Sequence, residues 1–151
     1  MVSEMRVPND ILLPQVRQMV QEGHTVTLRV RGVSMRPFLE DMRDKVVLAP
    51  FRSLSVGDVV LAEIRKGHFV LHRIISVNGS HIVLRGDGNN VGTEKSEYSD
   101  VAALAVAFIR KERKYLVTNR PWKTYSKVWM NIGPMRRILL GVYRRMPVLQ
   151  K

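Results

Sequence analysis

Hydrophobic and polar positions alternate from Thr25 to Arg31: Val26, Leu28 and Val30 fall on one face, Thr25, Thr27 and Arg29 on the other. That is the period of a half-buried strand. Similar short runs follow at Lys45–Ala49, Asp58–Ile64, His68–Val77 and His81–Arg85. Arg65-Lys66-Gly67 makes a short hairpin-like link between two of them, and Asn78-Gly79 is the strongest local hairpin signal in the chain. Ala102–Ile109 and Tyr115–Thr118 read as two edge strands separated by the charged turn Arg110–Lys114. Several short strands with turn signals between them predict a small, curved, mainly β body with a barrel-like sheet.

The period changes to that of a helix at both ends. Asn9 or Asp10 can cap a first helix running to about Glu22, with Gly23 as its stop and Ile11, Leu12, Val16, Met19 and Val20 on one face. Pro14 falls early enough in it to be tolerated. From Pro121, Val128, Trp129, Ile132, Met135, Ile138, Leu139, Val142, Tyr143 and Met146 recur three or four apart, while Lys127, Arg136, Arg137, Arg144 and Arg145 take the other face. Gly133-Pro134 divides this run into two short helices. The pattern thus gives an N-terminal helix (1–24), a β domain (25–118) and a basic amphipathic helical tail (119–151).

Length and composition fit one globular domain, since 151 residues can bury a core and 45% of them are hydrophobic. With no cysteine, a disulfide framework and a thiolate metal site are excluded. No secretory signal opens the chain, and no stretch approaches the roughly 18 apolar residues of a spanning helix. The expected location is cytoplasmic, with the tail either packed on the domain or lying peripherally against a membrane surface. Charge sharpens that point: residues 110–151 hold 12 Lys or Arg against the single acid Glu112, and so carry +11 of the net +12. An anionic surface is the natural partner of such a segment. Nucleic acid fits less well, because Trp122, Tyr125, Trp129 and Tyr143 fall on or near the apolar stripe and read as packing, not as a stacking platform.

Gly32-Val33-Ser34-Met35-Arg36-Pro37 is where chemistry enters. Proline fixes its own φ and pushes Arg36 away from the helical region, so Ser34 sits on a turn at a strand end. Downstream stand Val56-Gly57-Asp58-Val59-Val60, then Val70-Leu71-His72-Arg73-Ile74, then Gly86-Asp87-Gly88-Asn89-Asn90. This order of Ser-Met-x-Pro, Gly-Asp, a basic residue in a strand, and Gly-Asp-Asn resembles the type I signal peptidases and the related self-cleaving repressors of the SOS response, over about residues 25–109. With a histidine in the strand box, the match is to the endoplasmic-reticulum-like branch, here without a membrane anchor.

The resemblance implies a serine endopeptidase acting on a polypeptide, with Ser34 as nucleophile and His72 as base, and no cofactor. Imidazole suits the exchange from the bacterial lysine, because its unperturbed pKa near 6.5 needs no desolvation to serve at neutral pH. Strand alternation puts Val70, His72 and Ile74 on one face and Leu71, Arg73 and Ile75 on the other. A carboxylate must orient the histidine, and two stand open: Asp87 first, Glu94 second. The family's box reads Gly-Asp-Asn-Asn, whereas here Gly88 intervenes. Signal peptidases carry a serine two places before the nucleophile to help bind the oxyanion; this chain has Gly32, as the SOS repressors do. Gly32, Ser34 and Met35 then form the oxyanion and substrate-binding position through backbone N–H groups. Asp58 matches a structural box and reads as a turn anchor. His24, His68 and His81 lack metal-ligand spacing.

Two other readings stand beside the enzyme. Self-processing of the SOS-repressor kind is disfavoured, since residues 1–33 contain neither an Ala-Gly nor a Cys-Gly bond. A non-catalytic binding or regulatory module of the same fold would use its basic tail to hold nucleic acid or an anionic membrane.

Overall fold

A computed structural model describes residues 9–151, with side chains from Leu12 onward. The proposed capping side chains of Asn9 and Asp10, and Ile11 on the packing face, lie outside what is described. Helix α1 (Asn9–Gln21) contains Pro14, and Gly23 follows it at φ +94°, a left-handed conformation that glycine adopts at little cost. Val16 and Val20 carry α1 onto the body.

Eight strands form one open sheet: β1 (Val26–Arg29), β2 (Lys45–Ala49), β3 (Val59–Arg65), β4 (His68–Asn78), β5 (His81–Arg85), β6 (Glu94–Glu97), β7 (Val101–Arg110) and β8 (Arg113–Leu116). Their order is β1-β2-β7-β3-β4-β5-β6, with β8 also on β7, and every pair is antiparallel. The mainly β expectation holds, with two corrections inside it. Strand β7 is central, not an edge: β2 pairs along it, while β3 takes its first half and β8 its second. Its Ala102, Ala103, Ala105, Ala107 and Phe108 are buried, as a central strand requires. Strand β6 was not expected, because Glu94-Lys95-Ser96-Glu97 carries no apolar residue; it forms by pairing with β5.

The sheet buries both faces. One core joins α1, β1, β2, β7, Phe38, Leu39 and Trp122, and the other joins Leu54, Val60, Ala62, Ile74, Ile82, Leu84 and Val101. Strand β4 alternates between them: Phe69 and Leu71 face the first core, Val70 and Ile74 the second.

Helices α2 (Arg120–Asn131) and α3 (Met135–Arg144) follow, broken at Gly133-Pro134 as the sequence predicts. Trp122 packs edge-to-face on Phe38 at 5.0 Å, and Tyr125 stacks on Trp129 at 5.8 Å. Helix α3 departs from its sequence pattern at Arg136, which was placed on the polar face and turns inward. Arg136, Leu140 and Tyr143 are buried, while Met135, Ile138, Leu139 and Val142 are exposed. The reason is that carbonyls and a carboxylate on the body, not an apolar surface, meet this helix. None of the described helices is long and apolar enough to cross a membrane.

Candidate active site

Ser34 follows Gly32, which adopts φ +82° and donates its N–H to Asp41 Oδ1 at 2.7 Å. That N–H is therefore already engaged, and Gly32 serves the turn. The N–H groups of Ser34 and Met35, by contrast, and the Ser34 hydroxyl have no hydrogen-bond partner among the described residues. The turn is held from behind by ion pairs. Arg36 grips Glu40 with Nε at 3.0 Å and Nη2 at 2.6 Å, and Arg43 grips buried Asp44 at 2.7 Å. Tyr143 donates its hydroxyl to Glu40 at 2.9 Å. Burial and the Glu40 carboxylate push its phenol up to about 12, so it remains a donor.

The Gly86–Asn90 loop closes on this turn. Gly88 N–H donates to Ser34 O at 2.7 Å. A Cβ on Gly88 would lie 2.2 Å from Val33 O, and one on Gly86 would lie 2.5 Å from Ser34 O and 3.0 Å from His72 Nε2. Backbone therefore meets backbone where no side chain has room, and the Nε2 edge of His72 and the Ser34 residue flank the same point beside Gly86. The intervening Gly88, a departure from the family's box, is what permits the approach.

His72 is 4% exposed, and its Nδ1 lies 2.9 Å from Glu94 Oε2. The strand order explains this contact: β6 lies two places from β4, across β5, and brings Glu94 over Leu84 to His72. Asp87, the first choice for this position, lies elsewhere. Its carboxylate accepts from Arg73 Nε at 2.8 Å and Nη2 at 2.7 Å, and from the Tyr125 hydroxyl at 2.8 Å. Both ions of the Arg73–Asp87 pair are 1% exposed. Alternation decides the matter, because Arg73 points to the face opposite His72 and Asp87 follows it there.

Around that pair the α2 aromatics close a polar knot. The Arg73 guanidinium lies 4.9 Å from the Trp122 ring and also donates to Gly57 O and Ser126 Oγ. Trp129 Nε1 donates to Asp87 O at 3.0 Å. Burial, followed by the Asp87 charge, pushes the Tyr125 phenol well up, so it too stays a donor. Arg136 donates to the carbonyls of Asp87 and Asn89, fastening α3 to the same loop. From the sequence, Tyr125 and Trp129 read as packing and Arg136 as part of the polar face; none of these or Arg73 was assigned to holding the Gly86–Asn90 loop. The available signal was Gly88, a second glycine where the box needs only one.

Asp58 behaves as a turn anchor, accepting from Ser55 N–H at 2.9 Å, and burial raises its carboxyl above the ordinary range.

A family model described as Peptidase S24-like matches residues 3–108. That match spans more than half of the chain, which therefore belongs to the Peptidase S24-like family, within the signal-peptidase and SOS-repressor superfamily of serine peptidases. No curated protein and no solved structure matches the chain.

Proposed function

We propose that the chain is a serine endopeptidase in which Ser34, His72 and Glu94 act in sequence. The observation that carries this reading is the two-sided placement of His72: Nδ1 on Glu94, Nε2 toward Gly86 and the Ser34 turn. Glu94 fixes the tautomer that leaves Nε2 free to accept a proton. Ser34 Oγ attacks the scissile carbonyl carbon and its proton passes to His72 Nε2. The tetrahedral oxyanion is received by the unpartnered N–H groups of Ser34 and Met35. Collapse expels the amine, which takes the proton from His72, and leaves an acyl ester on Ser34. Water, activated by His72, hydrolyses that ester. Asp87 holds the loop through Arg73 and has no part in the proton transfer.

A fluorophosphonate probe tests this without a known substrate. The wild-type chain should gain one adduct on Ser34, and Ser34→Ala and His72→Ala should remain unlabelled and fail to hydrolyse peptides. If both variants keep wild-type labelling, the mechanism is wrong and the non-catalytic module takes its place.

The signal-peptidase-like part of the reading places the substrate beside a membrane. It is supported by the outward stripe of Met135, Ile138, Leu139, Val142 and Met146, each more than two-fifths exposed, flanked by exposed Arg137, Arg144 and Arg145. Residues 119–151 contain no acid to oppose an anionic bilayer. Ile138→Glu should release the chain from phosphatidylglycerol vesicles without altering its fold; equal sedimentation of wild type and variant would refute the contact.

A further inference from the structure

A cavity of about 240 Å³ opens at the elbow between α2 and α3, lined among others by Arg85, Asn90, Trp129, Arg136 and Arg137. Three arginines line it and no acidic residue does. Elsewhere Arg110 lies over the Phe38 ring, while Arg36 pairs with Glu40, Arg43 with Asp44 and Arg73 with Asp87. Here, among the described residues, none of the three has such a partner. Arg136, 6% exposed, spends its N–H groups on the carbonyls of Asp87, Asn89 and Asn90. Arg85 Nε and Asn90 Oδ1 are buried with no hydrogen-bond partner among the described residues.

We propose that this cavity binds a phosphate group. Guanidinium forks match the oxygens of a phosphate; with Arg136 held on carbonyls as a fixed charge, Arg85 and Arg137 supply the forks, and three cations around one cavity suit a dianion better than a single carboxylate. Arg136 and Arg137 also stand in the first turn of α3, which has no acidic residue. Positive charge at the positive end of a helix is unfavourable unless an anion is held there. The Asn90 carboxamide, turned over, presents its NH₂ to the same ligand. In support, burial and then the Arg85 charge lower the Arg136 pKa, a strain that a bound anion would relieve. The inference does not depend on the peptidase reading.

The test is calorimetric titration of the full chain with inorganic phosphate at constant ionic strength in chloride. One saturable site per chain is expected. Arg85→Gln and Arg137→Gln should each weaken binding at least tenfold. Arg137 is exposed, so its variant should melt as the wild type does. No saturable binding, or equal binding by both variants, overturns the proposal. Phosphatidylcholine vesicles containing phosphatidic acid separate the two sources of the group. If inorganic phosphate displaces the wild-type chain from them and Arg137→Gln fails to bind, the ligand is a lipid headgroup. If phosphate binds and the vesicles do not, it is a free phosphate or a soluble phosphate ester.

Discussion

Glu94 Oε2 meets His72 Nδ1 at 2.9 Å from a strand two places away in the sheet, whereas Asp87, nearer His72 in sequence, is turned to the opposite face and bound to Arg73. The two carboxylates therefore have separable consequences. Glu94→Gln should fold normally and lower kcat by about 10²–10⁴-fold, through loss of the orienting acceptor. Asp87→Asn should instead cost about 3–5 kcal/mol of stability, because it leaves a buried guanidinium without its counter-charge. Urea denaturation beside a labelling assay distinguishes them, and equal stability of the two variants would refute this division.

Gly86→Ala forces a methyl to within 2.5 Å of Ser34 O, and Gly88→Ala forces one to within 2.2 Å of Val33 O. Each should cost on the order of 1–3 kcal/mol and open the loop from the turn. Hydrogen exchange at Gly88 N–H, which bonds Ser34 O, should rise in both. Unchanged protection would mean that the two segments are not closed on one another.

Burial raises the Asp58 carboxyl above its ordinary pKa, so the folded state holds that proton more tightly than the unfolded chain. The resulting stability is fully present below the unfolded pKa and is lost as pH rises through the folded one. Asp58→Asn keeps an acceptor for Ser55 and removes the charge. It should melt above wild type at neutral pH, with the difference closing on acidification below the ordinary carboxylate range. A constant difference across that range would contradict the assignment.

Tyr143 supplies an alkaline counterpart. Its phenol is pushed from 10.0 up to about 12, so the stability it contributes is complete below 10 and falls away between 10 and 12. Tyr143→Phe should cost about 1 kcal/mol at neutral pH, from the lost hydrogen bond to Glu40, and should lack that alkaline decline. Denaturant titrations of both proteins across this range measure it.

Much of the architecture was legible because local period reports local burial. Strands β2, β4 and β5, the turn at Asn78-Gly79, and the break at Gly133-Pro134 stand where alternation and turn residues put them. Ser34 and His72 were proposed as a pair through the resemblance of their boxes, in order along the chain, to a known family; neither residue's own turn or strand singles it out. Strand β6 was not, since its four polar residues acquire extended form only through β5. The outward stripe of α3 was hidden for a related reason: the pattern shows that Ile138 and Leu139 share a side, but only the surface they meet decides which side is buried.

The sequence by itself determined the mainly β class, the helices at both ends, the placing of the positive charge and the order of the chemical groups, because each follows from periodicity or residue type. Tertiary structure alone decided which carboxylate reaches His72, that Gly88 lets two backbones touch, and that Arg136 points inward. Those three depend on strand order, on close approach and on the polarity of a neighbouring segment, and none of these is a property of residues adjacent in the chain.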